Sequence, residues 1–223
     1  AYSGGTGEPN TPFRISTVGD WQELVGTPGD WDKHFVLTDN IDANGVSLTP
    51  IGEYSNMFMG VLDGNGHVIR NADVDVPING YSVGLFGYVG DTSQIVALGV
   101  EGVSIKGDDQ VGGLVGSVDG GNISGCYTKG SVEGRNQVGG LIGCSYGGVV
   151  TGCYSTASVT SAGNDVGGLA GYCDDGTITA CYAGGAVEGS NFVGGLVGRC
   201  RTVVTACYAT GEVSGFGEVG GFA

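Results

Sequence analysis

A four-residue phrase, Val-Gly-Gly followed by Leu or Phe, recurs five times in the second half of the chain. The copies start 27, 28, 27 and 26 residues apart, at Val111, Val138, Val166, Val193 and Val219. A fixed period of this size is typical of one small unit of secondary structure stacked on itself. The spacing therefore predicts a solenoid, and any function is expected to lie on the surface of stacked coils.

Other positions repeat with the same period and predict the strands. Apolar residues recur in three columns: Ile123, Val150, Ile178 and Val204; Leu98, Cys126, Cys153, Cys181 and Cys207; and Val132, Val159, Val187 and Val213. Offsets of equal parity place a column on one face of a strand. We therefore expect about three short strands per coil, with the cysteine column inside. A degenerate phrase at Val83–Gly87 extends the period back through residue 58, which indicates about six coils after a first irregular one.

The start of the chain has a different character. Residues 1–15 are rich in Gly, Pro, Asn and Thr and are predicted to form an extended arm. Ser16 or Thr17 can N-cap a short helix over residues 17–25. Its apolar face contains Trp21, Leu24 and Val25. An open solenoid end exposes core and unpaired strand edges, so this helix is predicted to cap the first coil.

Charge is sparse and one-sided, with 23 acidic against 8 basic residues and a net charge of −15. Nucleic acids and anionic membranes attract clusters of Lys and Arg, so neither is expected as a partner. No apolar run approaches the ~18 residues of a membrane-spanning helix, so no membrane insertion is expected. The composition suits an extracellular or cell-surface protein, and the start at Ala1 is compatible with a mature end left by signal cleavage.

The repeat as a whole resembles a known motif. Each of the first four copies reads Val-Gly-Gly-Leu, a hydrophobic residue and Gly, then Ile or Val, two residues, Cys-Tyr, and a small-residue stretch ending in Val. These features resemble the GLUG repeat of secreted and cell-surface proteins of bacteria and archaea. The resemblance implies an all-β, right-handed parallel β-helix. It supplies no catalytic residue, because the family accompanies adhesins, proteases and proteins of unknown role as a stalk or accessory region.

The resemblance and the period together divide the chain. Residues 1–33 are predicted to form the arm and the capping helix. Residues 34–223 are predicted to form the parallel β-helix, with coils of about 27 residues and GLUG-like repeats from about residue 83 onward.

Seven cysteines occur and none forms a Cys-x-x-Cys pair, so neither a zinc knuckle nor a thioredoxin-type site is expected. Six of them flank three coil corners in pairs: Cys144 and Cys153, Cys173 and Cys181, and Cys200 and Cys207. Two alternatives stay open. The pairs form disulfides in an oxidising compartment, each contributing about 2–3 kcal/mol, or the cysteines form a ladder of buried thiols. Cys126 has Ser117 in the partner position and is expected to be a buried thiol.

Four tyrosines follow the cysteine column: Tyr127, Tyr154, Tyr182 and Tyr208. Opposite parity turns this column outward. Such an aromatic strip can bind glycans or pack against a partner, or its rings can stack on each other and stiffen the sheet. Both interpretations stay open.

Acidic and amide residues precede each Val-Gly-Gly phrase: Asp108, Asp109, Asn136, Asn164, Asp165, Asn191 and Glu218. Oxygen-rich loops can bind Ca²⁺, but no EF-hand or nonapeptide calcium motif occurs. Solvated turn residues are the simpler interpretation, so no metal site is assigned.

Catalysis is not expected. A polysaccharide lyase needs a Lys or Arg base close to acidic residues. The basic residues lie in different coils, with no predicted register with carboxylates: Arg14, Lys33, Arg70, Lys106, Lys129, Arg135, Arg199 and Arg201. His34 and His67 are far apart in sequence, and no Ser/His/Asp set is evident.

These features favour a structural or adhesive extracellular solenoid. The chain stops at Gly221–Ala223, within a repeat phrase, which raises the expectation that coil ends stack head to tail into filaments. Surface glycans or proteins are the other expected partners. The alternatives are a carbohydrate-binding module and a polysaccharide-acting enzyme.

Overall fold

The protein is described by a computed structural model over residues 1–76 and 80–222. Within this part of the chain, parallel strands form three sheets that wrap into a β-solenoid of about seven turns. The first sheet contains Phe13–Ile15, His34–Leu37, Val61–Asp63, Phe86–Val89, Gln94–Val96, Val115–Asp119, Asn122–Ser124, Ile142–Tyr146, Val149–Thr151, Ala170–Thr179 and Val197–Thr205.

The other two sheets complete each coil. The second contains Ile41–Asp42, Val68–Arg70, Asp73–Asp75, Gly99–Lys106, Tyr127–Gly134, Tyr154–Ser155, Ser158–Ser161, Tyr182–Ala183, Val187–Glu188, Tyr208–Ala209 and Val213–Ser214. The third, which carries the start of each Val-Gly-Gly phrase, contains Tyr81–Val83, Asp109–Gly112, Asn136–Gly139, Asn164–Gly167, Asn191–Gly194 and Val219–Gly220. The parallel solenoid predicted from the period is confirmed.

The strand register matches the predicted columns. Val132 pairs with Val159, which pairs with Val187, and Ile123 pairs with Val150 in the same way. Cys126, Cys153 and Cys181 are buried, as the column parity predicted. Because equivalent side chains meet in successive coils, each column becomes a continuous ladder along the solenoid axis.

The capping helix spans Val18–Gly26, and a 3-10 helix follows at Pro28–Asp30. Thr17 is the N-cap, and its side chain and that of Asp20 form a capping box. Burial alone would raise the pKa of Asp20, but hydrogen bonds from Ser16, Ser3 and Thr17 lower it. Trp21 and Leu24 of the helix are buried, so the helix covers the core of the first coils.

The arm differs from its prediction, because Phe13–Ile15 is a strand that pairs in parallel with residues 35–37. Ser3 and Gly4 form backbone hydrogen bonds with Arg14, so the arm covers the outer edge of this strand. Residues 13–15 of the arm therefore belong to the same sheet as residues 35–37. The division of the chain at residue 33 stays a prediction. Of the predicted open end, Ala223 lies outside the described residues.

Candidate functional site

The predicted tyrosine strip is a stack of rings. Tyr127, Tyr154, Tyr182 and Tyr208 pair in register, and the ring centroids of successive members are 4.8, 4.7 and 5.2 Å apart. The planes of neighbouring rings differ by only 1°, 4° and 5°. Each inner ring therefore has both faces covered by another tyrosine.

The first ring of this tyrosine ladder is covered as well. Tyr127 lies over Gly99 of the preceding coil, where a Cβ atom would overlap the ring. The Tyr127 hydroxyl donates to Glu101 Oε1 at 3.0 Å, and Lys129 Nζ lies 5.0 Å from the ring centroid. Among the ladder's rings only that of Tyr208, which is 54% exposed, keeps an open face. This geometry supports the stiffening interpretation, because a sugar ring needs an uncovered aromatic face.

A ladder of alternating charge runs beside the tyrosines. Asp42, Arg70, Glu101 and Lys129 pair in register through four coils. Glu101 lies 3.6 Å from the Arg70 guanidinium and 3.0 Å from the Lys129 ammonium. Hydrogen bonds from Lys129 and Tyr127 lower the pKa of Glu101. Alternation of sign means that each coil attracts the next at this column.

The expectation that basic residues lack carboxylates in register is wrong. Further salt bridges join neighbouring coils: Lys106 with Glu133, Arg135 with Asp108 and Asp109, and Arg199 with Asp165. The pairs form between successive coils, 26 to 34 residues apart in the chain, where the sequence argument expected no register between basic residues and carboxylates.

The predicted disulfides are absent from the structure, where all seven cysteines are free. Cys153 lies next to Cys126 and Cys181 along the axis: its Sγ is 3.4 Å from Cys126 N, and its own N is 3.4 Å from Cys181 Sγ. Cys144, the predicted partner of Cys153, instead contacts Ser117 Oγ of the preceding coil at 3.3 Å. The predicted pairs Cys144–Cys153, Cys173–Cys181 and Cys200–Cys207 are therefore replaced by thiols stacked between coils, the alternative that the sequence left open.

Burial and contacts with other thiols disfavour the thiolate form of several of these cysteines. Burial raises the pKa of Cys144 to about 11. A side-chain hydrogen bond with Cys126 raises the pKa of Cys153 to about 12. Burial also raises the pKa of the Cys173 thiol. A thiol reacts as its thiolate, so these side chains serve packing.

The polar column before the Val-Gly-Gly phrases forms an amide ladder. Asn136 Nδ2 donates to Asp109 Oδ1 at 2.9 Å, Asn136 Oδ1 accepts from the backbone N–H of Asn164 at 3.0 Å, and Asn191 Nδ2 donates to Asn164 Oδ1 at 2.9 Å. Within residues 1–76 and 80–222, no group of three or more His, Cys, Asp and Glu side chains is placed to bind a metal ion. The column's oxygens thus contact neighbouring coils, and the expectation that they form no metal site stays a prediction.

A concave surface that the sequence did not predict lies on the first sheet. Tyr54, Tyr88, Gln110, Ser117, Asp119 and Tyr146 line a cavity of about 310 Å³, called the lateral groove below. Tyr88, Ser117 and Cys144 are in register, and so are Asp119 and Tyr146. The groove combines open aromatic rings with an amide, a hydroxyl and a carboxylate.

A local backbone feature shapes one wall of the lateral groove. The residue before the Val has a positive φ in the first four copies of the repeated phrase: 58° at Gln110, 54° at Gln137, 61° at Asp165 and 51° at Phe192. This left-handed conformation is rare for residues other than glycine. It gives these side chains a common direction, and Gln110 reaches the groove. The sequence signal was the non-glycine residue before each Val-Gly-Gly phrase, but its conformation cannot be deduced from that position.

Together, the strand register and the ladders define a parallel β-helix built from near-identical coils. Residues 107–133 and 134–160 match the family model described as the GLUG motif. These two stretches therefore carry the GLUG motif, as the resemblance of the repeats indicated.

Two relatives share the repeats. Halomucin of Haloquadratum walsbyi is 34% identical over 125 residues, which are 52% of this chain and 1% of that protein. A provisionally named Gly-rich membrane protein of Evansella cellulosilytica is 31% identical over 129 residues, 54% of this chain and 14% of that protein. The chain thus spans only a small part of the length of these relatives.

A solved structure shares the fold. The crystal structure of a provisionally named immunoglobulin A1 protease from Bacteroides ovatus superimposes with a TM-score of 0.82, over 98% of this chain and 76% of that one. The two sequences are 22% identical. At this level the similarity shows the β-helix fold.

Proposed function

We propose that this chain is a structural β-solenoid of an extracellular or cell-surface protein, in which the coils form a stiff axial element. The observation that carries the proposal is that side-chain ladders join successive coils on several columns at once. The tyrosine stack, the amide ladder and the charge ladder each continue through at least four coils. In a solenoid, stability comes from contacts between neighbouring repeats, so these ladders resist bending and separation of coils.

The relatives support the location. One of them is named as a membrane protein, and this chain matches a small part of its length. The repeats are therefore one region of a larger protein in that case. No helix of the described residues is long and apolar enough to cross a lipid bilayer. A rod that extends from another, anchored region fits these findings.

The proposal includes no catalysis by this chain. The nucleophile candidates are thiols whose pKa values are raised by burial and by contacts with other thiols. Glu101, Asp108 and Asp109 are paired with cations. His34 lies in a strand of the first sheet, whereas His67 precedes a strand of the second. The hydrolytic or lyase alternatives would need a free base beside an acid, and these residues are committed to contacts between coils.

Assembly through coil ends is the finer part of the proposal. The last described coil exposes Val203, Phe216 and Val219 at 63%, 96% and 43%, beside the open ring of Tyr208. A second copy that stacks there would bury these groups. Because the arm and helix cover the first coil, the contact would join side chains of the last coil to the helical cap of the next copy.

Light scattering and negative-stain electron microscopy of the intact protein test this assembly. We expect particles that grow with concentration into end-to-end rods. Val203→Lys should suppress the growth, since a charge next to a strand edge opposes stacking. Val149→Lys is the matched control, because Val149 and Val203 occupy the same column two coils apart. A monodisperse monomer at high concentration would overturn end-to-end assembly and leave the role of a single stalk.

A further inference from the structure

Two sets of tyrosines on this molecule differ in what their rings touch. In the tyrosine ladder, the ring faces contact other rings. In the lateral groove, Tyr54 is 76% exposed and meets Tyr88 edge to face, with ring centroids 5.8 Å apart and planes 71° apart. An edge-to-face pair leaves ring surface uncovered. The groove therefore offers open aromatic ring surface, whereas the first three rings of the ladder are covered.

Polar groups lie between the aromatic walls. Ser117 of one coil pairs with Tyr88 of the coil before, and Asp119 pairs with Tyr146 of the coil after. The aromatic residues thus lie one coil below and one coil above a polar centre. Since neighbouring strands are about 4.8 Å apart, Tyr88 and Tyr146 are separated by about 9.6 Å along the axis.

The polar centre supplies both donors and acceptors. Gln110 Oε1 accepts a hydrogen bond from the Ser82 hydroxyl, which leaves the Gln110 amide N–H groups to donate into the groove. The Asp119 carboxylate can only accept, and it forms no salt bridge among the described residues. A ligand with hydroxyl groups satisfies both partners, since a hydroxyl donates and accepts.

From this arrangement we propose that the lateral groove binds a neutral, extended β-1,4-linked glycan of at least three sugar units. In such a chain every second sugar presents the same face at about the axial spacing of the two aromatic walls. The first and third units pack on Tyr54 with Tyr88 and on Tyr146. The middle unit contacts Gln110 and Asp119.

Charge selects among glycans. The chain has a net charge of −15, and Asp119 contributes a carboxylate at the centre of the groove. An acidic polysaccharide would meet like charge in the groove, which is unfavourable. The expected ligand therefore carries no carboxylate or sulfate.

Isothermal titration calorimetry of the intact protein with defined hexasaccharides tests the proposal. Cellohexaose or N-acetylchitohexaose should bind, whereas α-linked maltohexaose and acidic hexagalacturonate should bind at least tenfold more weakly. Cellobiose should also bind at least tenfold more weakly than cellohexaose, because it reaches only one aromatic wall.

Substitutions in the lateral groove test whether the glycan binds there. Tyr54→Ala and Tyr146→Ala should each reduce the affinity for the bound hexasaccharide at least tenfold, and Asp119→Asn should reduce it less. Tyr182→Ala is the control, because it removes a ring from the tyrosine ladder and should leave binding unchanged; circular dichroism confirms that each variant is folded.

Three results would overturn the proposal: no binding of either β-1,4-linked hexasaccharide, equal binding of the maltohexaose, or binding that survives both groove variants. Saturable binding of a proline-rich basic peptide with no binding of the glycans would also overturn it, since aromatic and acidic grooves suit such peptides too.

Discussion

The interior of the first coils and the interior of the GLUG coils are filled by different kinds of side chain. The first coils have an aromatic interior. The ring centroid of Phe58 is 6.2 Å from that of Phe35 and 5.0 Å from that of Phe86. The ring centroid of Phe86 is in turn 5.9 Å from that of Trp21 in the capping helix. The GLUG coils have an interior of Val, Leu, Ile and Cys, and their aromatic rings stack outside. The aromatic side chains fill the first coils beneath the capping helix, whereas the smaller side chains of the GLUG coils can repeat from one coil to the next.

The difference shows what repetition requires. A column of identical valines fits at every coil, because the strand spacing is constant. Large rings packed at several angles fit only one another, so the aromatic interior cannot be continued. The lateral groove lies where the two regions meet, since Tyr54 precedes the regular coils and Tyr146 belongs to them.

The aromatic interior should be the more sensitive region. Phe58→Ala is expected to lower the free energy of unfolding by about 3–5 kcal/mol, because a fully buried ring is replaced by a cavity. Ile123→Val in the GLUG coils should cost about 0.5–1.5 kcal/mol. Urea denaturation followed by circular dichroism measures both, and equal costs would contradict the contrast between the regions.

Substitutions at the glycines of the GLUG coils should have the next largest effect on stability. A Cβ atom at Gly139 would overlap the carbonyl of Ile142 and the backbone of Ala170, so Gly139→Ala should destabilise by about 1–3 kcal/mol. At Gly184 the nearest atom, Thr210 Oγ1, would be 3.5 Å away. Gly184→Ala is therefore expected to be neutral or to stabilise by up to about 1 kcal/mol. Thermal melts of the two variants give the comparison, which fails if both alanines are tolerated alike.

Removal of one ring from the tyrosine ladder should cost about as much stability as the Gly139 substitution. Tyr154→Ala breaks two ring stacks, each expected to contribute about 0.5–1.5 kcal/mol. Tyr154→Phe keeps both stacks and should stay close to the parent protein. Hydrogen exchange in residues 127–155 and 182–183 would show whether the loss of stability is local. Unchanged exchange there in the alanine variant would show that the ring stack does not stabilise these strands.

The charge ladder should give the smallest effect, visible as a pH dependence. The pKa of Glu101 is lowered by its contacts with Lys129 and Tyr127, so its contribution is present above the ordinary glutamate pKa of about 4.3 and is lost as the pH falls through the lowered value. Glu101→Gln should reduce the loss of stability on acidification. Urea midpoints measured at several pH values check this, and identical pH profiles for the variant and the parent would argue against it.

The regular half of the molecule could be predicted because its chemistry repeats. The recurrence of Ile123, Cys126 and Val132 in successive coils indicated which positions are apolar and buried, and the period indicated which residues meet. The helix could also be predicted, since Thr17 and Trp21 supply a cap and an apolar face.

The side-chain contacts on the surface, and the lateral groove, could not be predicted in the same way. The salt bridge between Arg199 and Asp165 joins positions 34 residues apart in the chain, and the lateral groove depends on a loop that brings Tyr54 against Tyr88. The predicted disulfides paired cysteines within a coil, whereas in the structure the cysteines are free and Cys153 contacts Cys126 and Cys181 of the neighbouring coils.

Small-angle X-ray scattering of a variant in which residues 107–160 are duplicated would test most directly whether the coils form one modular rod. We expect a folded monomer or end-to-end assembly whose rod is longer by about 10 Å per chain, since two added coils each contribute about 4.8 Å, with an unchanged cross-section. A chain that unfolds, or that grows in cross-section without growing in length, would contradict the structural role.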